Sequence, residues 1–197
     1  MFKKLILLAA AVFMMALPAQ AMSVTTVGNP IFLSRDGETA TSGGVKFVTN
    51  GGVMKMLSKD GKNDYLSFIN CDGVTGQVVD YAIRDVYTSN PAMHLWEITA
   101  TVGAHGKNCG YWLVGKAGED KYVAYVSHVS FMNVGYTVRE WHRIRSELSN
   151  GLLLVTSSHS YLPPGKQYEY EAVNVDDFRV QVFWDDKANW FGVRKIF

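Results

Sequence analysis

The chain has 197 residues, 19 basic and 18 acidic side chains, and a formal net charge of +1. This balance excludes the strong basic footprint of most nucleic-acid-binding proteins, so we expect no nucleic-acid partner. We interpret the one basic stretch, Arg139–Arg145, as a solvated surface. The length fits a single domain.

The first 21 residues have the three-part pattern of a signal peptide. Lys3 and Lys4 precede an uncharged apolar run, Leu5–Leu17, and Ala19-Gln20-Ala21 supplies the small residues of a cleavage site. The alternative is a membrane anchor, but about 13 apolar residues are too few to span a bilayer. We therefore expect cleavage before Met22 and export to the periplasm or the cell exterior, with no transmembrane anchor in the mature chain.

After the leader, residues 22–44 are rich in Thr, Ser and Gly and predict an extended or weakly ordered segment with one short strand, Ile31–Leu33. From Val45 to the end of the chain the pattern predicts a single β domain, because short apolar and β-branched runs alternate with Gly, Asn, Asp and Pro. An antiparallel β-barrel and a β-sandwich both fit it. The predicted strands are Val45–Thr49, Val53–Leu57, Tyr65–Ile69, Val78–Thr88, Leu95–Ala104, Tyr111–Val114, Tyr122–Val126, Leu152–Thr156, Tyr168–Val175, Phe178–Trp184 and Trp190–Ile196.

Alternation along two of these strands predicts which side chains are buried. Trp96, Ile98 and Ala100 share one face, which we expect to be packed, and Glu97 and Thr99 share the other, which we expect to face water. Phe178, Val180, Val182 and Trp184 are likewise expected inside, with Arg179 and Gln181 outside.

The two cysteines, Cys71 and Cys109, occur as an even pair in a chain that we expect to be exported, which favours a disulfide. A catalytic thiol is the alternative. A nucleophilic thiol needs a positive or His-bearing neighbourhood, whereas Asn70-Cys71-Asp72-Gly73 and Asn108-Cys109-Gly110 are typical of turns.

One segment, residues 137–149, has helical spacing and predicts the one amphipathic helix. Val138, Trp141, Ile144 and Leu148 would form its apolar face, and Arg139, Arg143 and Glu147 its wet face. Thr137 with Glu140 fits a capping box, and Asn150-Gly151 fits a helix stop.

Motifs for metal or cofactor binding are not apparent in the sequence. The five histidines, at positions 94, 105, 128, 142 and 159, lie at no spacing typical of a metal site, so we expect neither metal nor cofactor. Ser157 with His159, and Glu169 with Glu171, are isolated candidates for hydrolytic chemistry, but none has a partner at a catalytic spacing. We therefore assign no catalytic residue.

Aromatic residues make up 13% of the chain, and three tryptophans, Trp112, Trp184 and Trp190, lie near predicted strand ends. Flat aromatic faces near turns can form a binding surface, although they can equally belong to the core. We expect a non-catalytic binding or interaction domain of the cell envelope, with a small molecule, a glycan or a protein as its partner. A small secreted hydrolase acting on an envelope polymer or glycan is the alternative.

Overall fold

The computed structural model describes residues 22–68, 78–102, 107–136 and 143–196, and in this part of the chain the fold is mainly β and antiparallel, as the sequence predicted. Residues 1–21, where the sequence predicts a signal peptide, and Cys71 lie outside the described residues, as does the side chain of Cys109. The strands are β1 (Val24–Val27), β2 (Ile31–Ser34), β3 (Thr39–Ser42), β4 (Val45–Asn50), β5 (Val53–Ser58), β6 (Asp64–Phe68), β7 (Val78–Thr88), β8 (His94–Val102), β9 (Lys107–Gly118), β10 (Lys121–Ser127), β11 (Arg143–Ser149), β12 (Leu152–Tyr161), β13 (Val173–Asp185) and β14 (Trp190–Lys195).

These strands form three sheets. The central sheet has the order β1-β7-β8-β9-β10, with β2 also paired to β7. A second sheet runs β3-β4-β5-β6, and the C-terminal sheet runs β11-β12-β13-β14. Within the described ranges no ladder closes on itself, so the sandwich alternative fits the chain and the closed barrel does not.

The central sheet is packed on both faces. Trp96, Ile98 and Ala100 lie in a core shared with the sheet β3–β6, as the alternation predicted. Leu95 on the opposite face belongs to a second core, shared with the C-terminal sheet. The prediction that Glu97 faces water was therefore wrong, because the C-terminal sheet covers it and leaves it 2% exposed.

The alternation of β13 was assigned correctly for most positions. Phe178, Val180 and Val182 are buried, and Arg179 is exposed. Gln181 is an exception, because the side chain of Arg194 lies over it and donates from Nε to its Oε1 at 2.7 Å.

The predicted helix over residues 137–149 was wrong for residues 143–149, which form strand β11; residues 137–142 lie outside the described residues. The whole of β11 pairs with β12, from Arg143 opposite Ser158 to Ser149 opposite Leu152. Asn150 and Gly151, interpreted as a helix stop, have φ of 50° and 74° and form the two-residue hairpin turn between these strands.

Helical structure elsewhere in the described chain is short. Helix α1 spans His128–Met132 and buries Phe131, and a 3-10 turn covers Glu169–Glu171. That turn corrects the predicted strand Tyr168–Val175, which begins only at Val173. None of the described helices is long and apolar enough to cross a membrane.

The N-terminal segment, residues 22–44, is extended and contributes three short strands. β1 and β2 both pair with β7 of the central sheet, and β3 pairs with β4. β2, at Ile31–Ser34, covers the strand that the sequence predicted there. The same segment brings Ser42, at the end of β3, to the end of the hairpin β7–β8, where the site described next is located.

Candidate binding site

Three stacked rings lie at the end of the β7–β8 hairpin. Tyr87 of β7 is directly opposite His94 of β8, and Trp96 follows two residues later on the same face. The ring centroids of Tyr87 and His94 are 5.0 Å apart, and those of His94 and Trp96 are 4.4 Å apart. Exposure rises along the stack from 2% at Trp96 to 45% at Tyr87. We call Tyr87, His94 and Trp96 the ring stack; it runs from the core to the surface.

The carboxylate of Asp85 holds the ring stack in place. Its Oδ1 lies 2.8 Å from Nε2 of His94 and also accepts a hydrogen bond from the hydroxyl of Ser42. The Ser42 oxygen in turn accepts from Nε1 of Trp96 at 3.0 Å. Because a carboxylate oxygen only accepts, this arrangement assigns a hydrogen to Nε2 of His94. Two of the three rings are thus fixed by hydrogen bonds as well as by stacking.

Gly43 allows the β3–β4 turn to approach the stack closely. Its φ is +53°, and a Cβ built there would lie 2.5 Å from Nδ1 of His94 and 2.6 Å from Cζ2 of Trp96. No larger residue fits this position without moving a ring. The neighbouring Gly44 also has a positive φ, +82°, but a Cβ there would meet no atom within 4 Å.

The site combines an exposed ring with a polar group that has hydrogen-bonding capacity left. In the described part of the chain, Oδ2 of Asp85 accepts no protein hydrogen bond, and the side chain is 25% exposed. The side chain of His94 is exposed to the same degree. The site therefore offers a ligand an aromatic face at Tyr87 and a hydrogen-bond acceptor at Asp85.

Ser42, Asp85 and His94 do not have the geometry of a hydrolytic triad. In a triad the imidazole lies between serine and carboxylate and removes the proton of the serine. Here the carboxylate lies between the other two, and the Ser42 hydroxyl donates to Asp85. The imidazole is therefore not placed to activate Ser42 as a nucleophile.

Two of the three tryptophans chosen from the sequence meet in the structure. The rings of Trp184 and Trp190 both pack against Tyr125, with centroids 6.3 and 4.7 Å from its own, and Trp190 is 40% exposed. Nε1 of Trp190 donates to the carbonyl of Tyr125 at 2.8 Å. Trp112 is elsewhere, only 7% exposed and packed edge-on against Phe68, so it cannot form an exposed platform.

The hydrolytic candidates lie on two separate segments, strand β12 and the 3-10 turn Glu169–Glu171. Ser157 is fully buried, and a bulge separates it from Ser158 and His159 on the strand. Glu171 lies in the 3-10 turn, where Lys166 donates to it at 2.8 Å and lowers the pKa of its carboxyl. The predicted strand face shared by Glu169 and Glu171 was wrong, because this turn replaces the strand.

Sequence reasoning missed the ring stack, although part of the signal was present. Asp85 and Tyr87 lie two residues apart before a turn, and His94 and Trp96 lie two residues apart after it. A correct hairpin register would have placed all four on one face. Ser42 comes from a distant strand and leaves no local trace.

No group of three or more His, Cys, Asp or Glu side chains in the described ranges is arranged to hold a metal ion. Comparison with known proteins gives no further guide: no family model, no curated protein and no solved structure matches the chain significantly. The functional argument therefore depends on the site itself.

Proposed function

We propose that this protein is an exported, non-catalytic binding domain of the cell envelope that recognises a glycan at the ring stack. The single observation that carries this proposal is the partly exposed Tyr87 ring, stacked on an imidazole that a carboxylate holds in place. The leader pattern at residues 1–21 supports export.

A pre-organised stack favours binding because its side chains lose little freedom when a ligand arrives. Asp85 and Ser42 already fix His94 and Trp96 in the free protein. Rigid sites of this kind avoid part of the entropy cost of association. The exposed ring then offers apolar area that a ligand can cover.

A sugar ring matches the chemistry of the site. One face of a pyranose presents C–H groups that pack on an aromatic ring, and its hydroxyls donate hydrogen bonds to a carboxylate. Tyr87 supplies the aromatic face, and Oδ2 of Asp85 supplies an acceptor at the inner end of the stack.

The test is a titration of the mature protein with three tetrasaccharides, built from N-acetylglucosamine, β-1,4-linked glucose or α-1,4-linked glucose. Calorimetry and tryptophan fluorescence measure the binding. We expect one of the three to bind. Tyr87→Ala should weaken that binding about tenfold or more, since covering an aromatic side chain is worth about 1.5–3 kcal/mol. Tyr87→Phe should keep most of the affinity.

Tyr170→Ala is the matched control, because Tyr170 is a highly exposed tyrosine on a different part of the chain. It should bind like the wild type. Equal affinities in wild type and Tyr87→Ala would overturn the proposal. Cleavage of a tetrasaccharide that disappears in Asp85→Asn would instead support the hydrolase.

A further inference from the structure

The outer face of the C-terminal sheet carries four arginines. Ile144 and Val180 point into the core, so by alternation Arg143, Arg145 and Arg179 point outward. Arg194 of β14 shares this side, since it contacts Gln181 and lies over the ring of Phe183. We call these four residues the arginine face.

Two of these arginines lie in one row across three adjacent strands. Arg145 is opposite Thr156, and Thr156 is opposite Arg179. Neighbouring strands are about 4.8 Å apart, so the Cα atoms of the two arginines are about 10 Å apart, with a threonine hydroxyl between them. Guanidinium groups at this separation can reach one small anion from both sides.

A groove of about 300 Å³ lies at this row. It is lined by Arg145, Ser146, Glu147, Thr156, Ser158 and Arg179. Glu147 is the acidic group in this lining, and its Oε1 already binds Nη2 of Arg179 at 2.8 Å. Among the side chains that the structure describes, no carboxylate pairs with Arg145 or Arg143, and the lining, with two arginines and one glutamate, carries a formal net charge of +1.

We infer that this groove is a phosphate-binding site, in which Arg145 and Arg179 hold the anion and the hydroxyls of Thr156 and Ser158 donate to it. Two converging guanidinium groups and neutral hydroxyl donors match the charge and the acceptors of a phosphate group. The inference is independent of the glycan proposal, because the ring stack lies on a different sheet.

The experiment uses the full mature protein with two probes, inorganic phosphate and linear tripolyphosphate, measured by calorimetry at low ionic strength. Arg145→Gln and Arg179→Gln should each weaken phosphate binding by about tenfold, as expected for the loss of a charge-assisted hydrogen bond. Glu147→Gln should strengthen it, because Glu147 competes with the probe for Arg179. Tighter binding of tripolyphosphate that is lost in both Arg145→Gln and Arg179→Gln would favour a phosphate polymer as the ligand, and equal affinities would favour the free anion.

Arg35→Gln is the control, since Arg35 is an exposed arginine on the N-terminal segment that pairs with Asp36. It should bind both probes like the wild type, and so should Tyr87→Ala. Failure of both probes to bind, wild-type affinity in Arg145→Gln and Arg179→Gln, or an equal loss in Arg35→Gln would each overturn the inference.

Discussion

Replacing Glu97 tests how the C-terminal sheet is attached to the central sheet. Its Oε1 accepts from the hydroxyl of Ser146 on β11 at 2.7 Å and lies 3.5 Å from Nη1 of Arg84. Its Oε2 accepts from the Tyr111 hydroxyl at 3.0 Å. Arg84 also donates to the Ser146 hydroxyl, at 2.9 Å, so the four side chains form one network between two sheets.

The size of the effect follows from what each substitution leaves behind. Glu97→Ala removes the acceptor of two hydroxyls and the partner of a guanidinium that is largely covered. Breaking a buried ion pair from one side costs about 3–5 kcal/mol of unfolding free energy, and we expect a loss in that range. Glu97→Gln keeps the shape and can still bond to Ser146 and Tyr111, so its cost near neutral pH should be about 1–2 kcal/mol.

The pH dependence gives a sharper test. Burial raises the pKa of Glu97 above its ordinary range, although Ser146 and Arg84 oppose the shift. A native pKa above the unfolded one means that the native state binds the proton more tightly. This tighter proton binding adds to the free energy of unfolding. The added stability is fully present below the unfolded pKa of about 4.3 and is lost as the pH rises through the native pKa. The stability of wild type relative to Glu97→Gln should therefore fall as the pH increases over this window.

Urea denaturation followed by tryptophan fluorescence, at several pH values between 4 and 8, measures both effects. Glu119→Gln is the control, because Glu119 is exposed and its replacement should leave the pH profile unchanged. A cost below about 1 kcal/mol for Glu97→Ala would refute the network as a structural link. A relative stability that rises with pH would show that Arg84 outweighs the burial of Glu97.

Three further predictions concern a turn, the cysteines and the N-terminus. Gly43→Ala should destabilise the fold by about 2 kcal/mol more than Gly44→Ala. Both substitutions strain a positive φ, but only the alanine at position 43 would push its Cβ into the imidazole and indole rings. Thermal unfolding measures the stability difference, and near-ultraviolet circular dichroism reports on the aromatic rings. Cys71 and Cys109 should be disulfide-bonded in exported protein, so a thiol titration should find no free group. Reduction should lower the free energy of unfolding by up to about 4 kcal/mol. N-terminal sequencing of exported protein should start at Met22, and a retained leader would contradict the cleavage site.

The sequence was sufficient for the strand pattern but not for the assignment of β11. Ile144 and Leu148 are four residues apart, and an even spacing of four puts both on one face of a helix and on one face of a strand. The periodicity of these two residues therefore could not distinguish the structures. All seven residues of β11 pair with β12, and this pairing favours the strand over the helix. The pairing depends on the tight turn at Asn150-Gly151.

Some contacts of the candidate site could be predicted from neighbouring residues in the sequence, and others could not. Tyr87, His94 and Trp96 come together through one hairpin, so a correct register suffices to predict their contact. Ser42 reaches Asp85 across 43 positions of the chain, and nothing in its own neighbourhood indicates that contact. Pairing between distant segments depends on how the sheets stack, which local periodicity does not determine.

The burial of Glu97 shows why the sequence did not indicate that the C-terminal sheet packs on the polar face of β8. A strand that alternates apolar and polar residues predicts a sheet with one wet face, and β8 has this pattern. Here the polar side of β8 is covered by a second apolar layer, and its carboxylate is satisfied by Tyr111 and Ser146 rather than by water. Because an unpaired carboxylate is costly in a core, packing that brings Ser146 of the C-terminal sheet to Glu97 is favoured over packing that leaves Glu97 without this donor. The polar residue that looked like a surface position thus restricts how the C-terminal sheet can pack on the central one.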